Sequence, residues 1–318
     1  MQNVRDNQGL LPPSLETTDF AWLGHRYQGK VRDSYTRGDL RILVATDRLS
    51  AFDRAVCAIP GKGQVLTKMA KYWFERTRHI AENHVVAVPD PSVMVAREVS
   101  IIPIEVVVRG YLAGSAWRDY VAGRPCSGVS LPPGLKEFEP LERPILTPST
   151  KEAVGAHDVP ISEVEILNRG LVSELVWEKV RATALALFAF ASKQVEERGL
   201  LLADTKYEFG LLGDSVILAD EIHTLDCSRY WLRDSYERAL SQGAAPEMLD
   251  KEPIRRWLMQ QGFSGEGEVP AVSDEYRMQL REYYRFSAER ITGETVVLDE
   301  ANPTERIEKN LRRFFSLP

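Results

Sequence analysis

The chain has 318 residues, 44% of them hydrophobic, with 46 acidic against 40 basic side chains and a formal charge of −6. That length supports one elaborate domain or two to three intimate subdomains with a sizeable core. The mildly acidic balance, with lysines and arginines interspersed, argues against a nucleic-acid coat or a binder of anionic membranes and leaves local anion pockets open. Cys57, Cys126 and Cys227 are widely spaced and lack a CxxC, so neither a disulfide framework nor a structural zinc site is indicated, and a reducing cytoplasm is the expected compartment. The opening MQNVRDNQGLLPPS has no apolar signal core, and no apolar run is long enough to span a bilayer.

After a polar arm with Pro12 and Pro13, WLGHRYQGKVRDSY predicts a short hairpin bending at Gln28-Gly29. Alternation through Lys30, Val31, Arg32 and Asp33 would then put Lys30 and Arg32 on one face. A glycine bend carrying two cations can fold over nucleotide phosphates, although a solvated basic hairpin has the same pattern. RILVATD reads as a buried strand ending in the polar run 47–53, where Asp47 and Ser50 either border a site or bond the local backbone. IPGKGQVLTKMAKYWF begins with a glycine turn and becomes a helix with Val65, Met69, Tyr72 and Trp73 toward the core. Its Gly61-Lys62-Gly63 lacks the Walker spacing.

Strands are predicted over 84–88 and 101–108, the second leading into Arg109-Gly110-Tyr111. GSAWRDYV then predicts a helix over 115–121 with a small polar cap. Arg109 at the strand end and Ser115 at the helix start can hold a phosphate by charge, hydroxyl and backbone amides; an ordinary β-to-α turn is the alternative. Residues 123–160 are rich in Gly and Pro and read as a long loop, with Thr147, Ser149, Thr150, Lys151, His157 and Asp158 concentrated in TPSTKEAVGAHD. Long loops in compact enzymes are functional or disordered. His157-Asp158 alone is neither a metal site nor an activating dyad. Ser162 and Glu165 form a capping-box pattern, and an alanine-rich amphipathic segment over 172–198 is expected to pack on a sheet.

The most informative stretch is 200–231, LLLADTKYEFGLLGDSVILADEIHTLDCSRYW, an antiparallel hairpin by its two β-forming runs around Gly-Asp-Ser. Alternation places Asp204, Lys206 and Glu208 on one face and Thr205, Tyr207 and Phe209 on the other. A three-residue turn at Gly213-Asp214-Ser215 would pair Leu212 with Val216 and set Glu208 opposite Asp220. Facing carboxylates weaken a sheet unless a cation lies between them, and hard oxygens beside Lys206 suggest magnesium carrying phosphates. A solvated hairpin face is the alternative. Beyond it, 247–261, 273–292 and 303–315 have helical periodicity, with Asn302-Pro303 as cap and first turn. Tyr283, Phe286, Phe314 and Phe315 are expected to pack rather than bind a cofactor. Early strands, a mixed centre and a helical tail imply a compact α/β or α+β enzyme without a clear linker.

Taken together, GKVRDSY, ATDRLSAFD, IPGKGQVLTKMAKYWF, VVVRGYLAGSAW, TPSTKEAVGAHD, ADTKYEFGL and DEIHTLDCSRYW, in that order, closely resemble the SAICAR synthetase family of purine biosynthesis over nearly the whole chain. The insert with TPSTK and AHD resembles the longer, yeast-like form. The resemblance implies a β-rich, ATP-covering part over 1–100, a central substrate- and metal-binding α/β part over 101–231, and helices over 232–318. It also implies the ligation of a carboxyaminoimidazole ribonucleotide to L-aspartate with ATP, through an acyl phosphate.

On this resemblance Gly29, Lys30 and Arg32 cover the ATP phosphates, Glu208 and Asp220 bind Mg2+, and Lys206 neutralises the transferring phosphate or substrate carboxylate. Arg109, Ser115 and Arg229 match the ribonucleotide phosphate site. Asp47, taken as catalytic, and Ser50 border the imidazole; Lys151, His157 and Asp158 enclose aspartate or nucleotide; Asp226 and Ser228 belong to a substrate loop. Leu225 and Cys227 depart from the family's TPDSSR, which puts a role for position 227 in doubt. Competing readings are a kinase or another carboxylate-amine ligase, the protein-kinase version lacking HRD and DFG, and a nucleotide-binding scaffold without turnover.

Overall fold

The computed structural model describes residues 11–52, 54–151 and 159–317. His157 and Asp158 lie outside the described residues.

The chain first lays down β1 (His25–Gln28), β2 (Arg32–Arg37) and β3 (Leu40–Ala45) as an antiparallel meander, then the hairpin β4 (Arg48–Ala51) and β5 (Arg54–Ala58). Helix α1 (Lys62–Arg76) follows, and β6 (Val85–Asp90) and β7 (Val93–Arg97) return to complete a sheet of order β1-β2-β3-β7-β6. Alternation in β3 and β7 buries Ile42, Val44, Val93 and Val95 on one face. That face is covered by Leu15, Phe20 and Leu23 and by Ile307 and Leu311 from the far end of the chain.

The second sheet is built on β8 (Ser100–Tyr111), which leads into α2 (Gly114–Val121), β9 (Pro140–Leu146) and β10 (Ser149–Thr150). Helices α3 (Glu163–Asn168) and α4 (Glu174–Glu196) connect to β11 (Leu200–Leu212), β12 (Ser215–Ala219) and β13 (Ser228–Leu232). Strand β11 is central: β8 pairs along one edge, while β13 and then β12 share the other. Its Leu200, Leu202, Tyr207 and Phe209 join a core with Trp177, Val180, Ala184 and Leu187 of α4, which packs on the sheet as its periodicity required. The chain closes with α5 (Arg233–Gln242), α6 (Glu252–Gln260), α7 (Asp274–Thr292) and α8 (Pro303–Phe314). The capping box at Ser162 is formed, and Asn302 caps α8 by accepting the amides of Thr304 and Glu305.

This mixed α/β architecture with antiparallel sheets and C-terminal helices is the fold class expected, but several local expectations are corrected. The turn between β11 and β12 has two residues, so Leu212 pairs with Ser215 and Glu208 faces Ala219, not Asp220. Gly213 takes a positive φ of 58° at the first central position, which suits a tight hairpin turn whose twist matches its strands. Asp220 lies just past the ladder at φ 64°. In the first hairpin the bend spans 29–31 and β2 begins at Arg32, so Lys30 is not on a strand face with Arg32.

Residues 48–51 form a strand because Leu49 and Ala51 are buried between Arg48 and Ser50, a period of two inside a polar-looking run. The strands β7, β9, β10 and β13 and helix α5 were not anticipated. Strand β9 includes Pro140 and pairs with β8 alone, consistent with proline at a sheet edge. The cap position of α2 is Ala113, and Ser115 is its second residue. Phe286 is 50% exposed and Phe314 37%, although Phe314 meets Phe315 edge-on with ring centroids 5.0 Å apart.

Candidate active site

Asp204, Lys206 and Glu208 alternate along β11, and the carboxylate that faces Glu208 across the ladder is Glu105 of β8. Lys206 Nζ lies between them, 2.6 Å from Glu105 Oε1 and 2.9 Å from Glu208 Oε1. Lys151 Nζ donates to the other oxygen, Glu208 Oε2. A facing acidic pair bridged by a cation is therefore present, on the opposite edge of β11 from the one anticipated. Burial would raise the Glu208 carboxyl, but Lys206 and Lys151 hold it below the usual carboxylate range. Burial likewise pulls Lys206 down, and Glu208 and Glu105 outweigh it, raising its pKa well above the ordinary lysine value.

Asp220 meets the first sheet through Arg32, whose Nη2 is 2.6 Å from Asp220 Oδ2 and 3.2 Å from Glu221 Oε1. Glu208, Asp220 and Lys151 line one cleft of about 610 Å³ with Tyr27, His84 and Val99. Arg32, Asp220 and Glu221 also line a neighbouring, more apolar cleft with Leu43, Leu66 and Met94. Among the described residues no group of three or more His, Cys, Asp or Glu side chains converges to cage a metal. Two carboxylates on one cleft instead fit a hard cation that completes its shell with phosphate and water oxygens, as Mg2+ does. The cations now on these carboxylates, Lys206, Lys151 and Arg32, occupy the place such an ion's charge would take.

At the other end of the charged face, Asp204 Oδ2 accepts from Arg109 Nη1 at 3.0 Å and Arg229 Nη1 at 2.6 Å. Arg109 also donates to Thr147 Oγ1 at 2.7 Å and Ser115 Oγ at 2.9 Å, so the strand end and the α2 start do converge. The two guanidiniums sit beside the first turn of α2, where backbone amides point outward. Gly114 permits this: at φ 61°, a Cβ there would lie 2.4 Å from Arg229 Nη1.

Asp204, Arg229, Asp226 and Ser228 line a polar cavity of about 380 Å³. Asp226 Oδ2 accepts from Lys62 Nζ at 2.7 Å, and Lys251 Nζ is 3.3 Å from Oδ1. Burial opposes its charge, but Lys251 and Lys62 hold the Asp226 carboxyl below its usual range. Ser228 Oγ is 2.7 Å from Thr205 Oγ1. Cys227 lines the same cavity with its thiol pushed up to about 12 by burial, unsuited to a nucleophile, while Leu225 is 2% exposed and belongs to the core.

Other expected residues are not brought to this face. Asp47 is a tie between segments: Oδ2 accepts the amide of Leu15 and Oδ1 the amide of Gly63, at 2.8 and 2.9 Å. Both oxygens are engaged, the side chain is 4% exposed, and Asp47 lines a separate cleft with Gly61 and Arg281. Ser50 is half-buried in β4 opposite Ala55 and lines none of the three clefts described above. The backbone carbonyls of Gly29 and Lys30 accept from Arg48, which fixes the bend. Glu105, Lys62, Lys251 and Arg255 were missed. Glu105 sits in the alternation of IIPIEVVV as the one charge in an apolar run, a signal that was available; Lys62 and the 250–255 pair become neighbours of Asp226 only through folding.

The SAICAR synthetase family model matches residues 25–272. A Legionella pneumophila protein named phosphoribosylaminoimidazole-succinocarboxamide synthase is 44% identical over 301 residues, covering 92% of this chain and 96% of the relative. A solved SAICAR synthase from Saccharomyces cerevisiae, complexed with SAICAR, superposes with a TM-score of 0.79 at 31% identity, covering 89% of this chain and 99% of that one. A type-2 SAICAR synthetase in complex with ADP has a TM-score of 0.66 at 25% identity, with 86% and 100% coverage. The chain belongs to the SAICAR synthetase family of ATP-dependent ligases.

Proposed function

We propose that this protein joins 5-amino-1-(5-phospho-D-ribosyl)imidazole-4-carboxylate to L-aspartate at the expense of ATP, giving SAICAR, ADP and phosphate through an acyl phosphate. The observation that carries this reading is the one charged face of β11, running from the arginine cavity at Asp204 through Lys206 to the carboxylate cleft at Glu208. Four residues of strand span about 13 Å, enough to separate a ribose phosphate at one end from a reacting carboxylate near the other. The name of the Legionella relative and the SAICAR and ADP held by the two structural neighbours agree with it.

Arg109, Ser115 and Arg229 hold the ribonucleotide phosphate by charge and hydroxyl beside the α2 amides. Lys206 meets the imidazole carboxylate and the incoming phosphoryl group, where negative charge accumulates as the carboxylate oxygen attacks. Arg32, with Gly29 and Lys30 in the bend, steadies the nucleotide phosphates. A magnesium ion on Glu208 and Asp220 would supply further neutralisation of those phosphates. Asp226, Ser228 and Lys151 enclose the substrates. A carboxylate is a poor acyl donor because oxide is a poor leaving group; phosphate is a good one, so the amine of aspartate displaces it. Residues 1–100 act as the nucleotide-covering part, 101–231 as the substrate and metal part and 232–318 as helical support, in a protein of the cytoplasm.

ADP release by the purified protein with Mg2+ and ATP tests the reading, with the ribonucleotide and L-aspartate supplied separately and together. Release requiring both, with stoichiometric SAICAR, is expected. Release without aspartate would turn the reading toward a kinase or an uncoupled acyl phosphate, and binding without release toward a scaffold.

A further inference from the structure

Just past β12 the chain enters the left-handed region twice at residues other than glycine, Asp220 at φ 64° and His223 at φ 52°. Such backbone is strained for a residue with a side chain and persists only where its surroundings fix it. Before Asp220 the β11–β12 ladder does so, pairing Glu208 with Ala219. After Asp220 the ties converge on His223. Its backbone carbonyl accepts from Tyr230 Oη of β13 at 2.8 Å, and its ring Nε2 lies 3.2 Å from Tyr207 Oη of β11. The ring also packs on Trp73 of α1, with centroids 4.9 Å apart. Tyr207 alternates with Lys206 and Glu208 along β11 and is buried in the core on the opposite face, so His223 grips the back of the strand that carries the charged face.

For stability alone, histidine is a poor occupant of this place. The residue is 0% exposed, and Nδ1 finds no hydrogen-bond partner among the described residues. A buried polar atom without a partner lowers stability, and an apolar side chain would avoid that loss. We propose that His223 is a positioning residue: by bonding Tyr207 and Tyr230 it holds the turn 220–223 in its left-handed form and so fixes the Asp220 carboxylate beside Glu208. The proposal rests on the reading above in which those two carboxylates hold Mg2+. His223 lines none of the three clefts, so it acts through the backbone of the turn. Asp226, farther along, has its own two lysines and does not depend on this grip.

The test measures the affinity of the full-length protein for ADP twice, with saturating Mg2+ and with EDTA, in the absence of the ribonucleotide and aspartate. His223→Leu keeps a similar volume but removes the ring nitrogens and disfavours a positive φ. It should weaken ADP binding roughly tenfold in Mg2+ and less than about twofold in EDTA. Asparagine adopts the left-handed region readily and offers a polar amide, so His223→Asn should recover most of the Mg2+-dependent affinity. Tyr207→Phe should lose part of the same affinity and add nothing further to His223→Leu, since both remove one bond. In turnover, His223→Leu should raise KM for ATP and leave KM for the ribonucleotide unchanged. Equal losses in Mg2+ and EDTA would mean general damage to the fold and would overturn the assignment. So would parent-like binding in His223→Leu, no recovery in His223→Asn, or a parent protein whose ADP affinity gains nothing from Mg2+. If the parent binds ADP more tightly with Mg2+ but does not ligate, the ligase reading fails alone, and the two ADP affinities still decide the role of His223.

Discussion

Asp90 and Glu208 are both carboxylates withdrawn from solvent, 1% and 4% exposed, and both meet cations, yet their surroundings differ in kind. Asp90, at the end of β6, is filled by donors fixed in the fold: Arg306 Nε at 3.0 Å, Asn310 Nδ2 at 2.7 Å and the Ser92 amide at 2.8 Å. Its partners on α8 clamp the C-terminal helix onto the first sheet. Glu208 is met by two lysine ammonium groups on flexible stems, one of them, Lys151, 40% exposed, and it opens onto a cleft. A planar guanidinium pre-organised on a helix stabilises one arrangement, whereas ammonium groups can be exchanged for another cation or turned toward an anion. Burial of charge is thus no mark of a site; charge whose partners can be replaced is.

The sharpest way to break that comparison is to remove each carboxylate's charge in turn. Glu208→Gln should lose roughly 10²–10³-fold in turnover with a small change in melting temperature. Asp90→Asn should leave the buried Arg306 uncompensated and cost about 3–5 kcal/mol of stability, with the turnover of the folded fraction retained. Full activity in Glu208→Gln, or a melting transition untouched in Asp90→Asn, would erase the distinction.

Acidification probes the same contrast between fixed and exchangeable burial. His223, packed on Trp73 at 4.9 Å, and His84, in the cleft with Glu208, are pushed down by burial to about 3 and about 4 from an ordinary 6.5. Both are neutral when folded, so the unfolded chain binds more protons below pH 6.5, and stability should fall as pH drops from there toward 4. The combined loss is on the order of several kcal/mol, read as a falling melting temperature, and His223→Gln should flatten the slope. The depressed carboxyls Glu208 and Asp226 add their loss only below the ordinary carboxylate range.

Smaller effects sharpen the arginine end of the face. Gly114→Ala meets both a positive φ and the Arg229 guanidinium, so it should cost about 1–3 kcal/mol and raise KM for the ribonucleotide more than for ATP. Cys227→Ser places a hydroxyl at this position and should change turnover less than about threefold, since the thiol contacts Thr224 and Ser228 at 3.5–3.8 Å.

Much of the fold was legible because its signals are local. The capping box at Ser162, the Asn302 cap, the face of α4 and the charged alternation of β11 depend on residues within a turn or two of each other. Short buried strands such as β7 and β13 were not, since four or five residues carry too little periodicity to separate strand from loop. The hairpin register failed on a single residue, Ser215, which can serve a turn or a strand end, and that choice moved Asp220 out of the ladder. The two backbone amides on Asp47 were illegible for another reason: a polar residue at a strand end reads alike whether it meets a substrate or the local backbone.

By itself the sequence determined that Lys206 and Glu208 share a face, that Arg109 ends a strand before a helix, and that seven ordered motifs belong to one family, because covalent spacing and strand period suffice for each. Only the tertiary structure decided that Glu105 is the carboxylate across from Glu208 and that Lys62 and Lys251 close on Asp226. Those relations join residues up to 164 positions apart. Which charges cancel inside a protein is set by distances of a few ångströms in space, and separation along the chain carries no information about them.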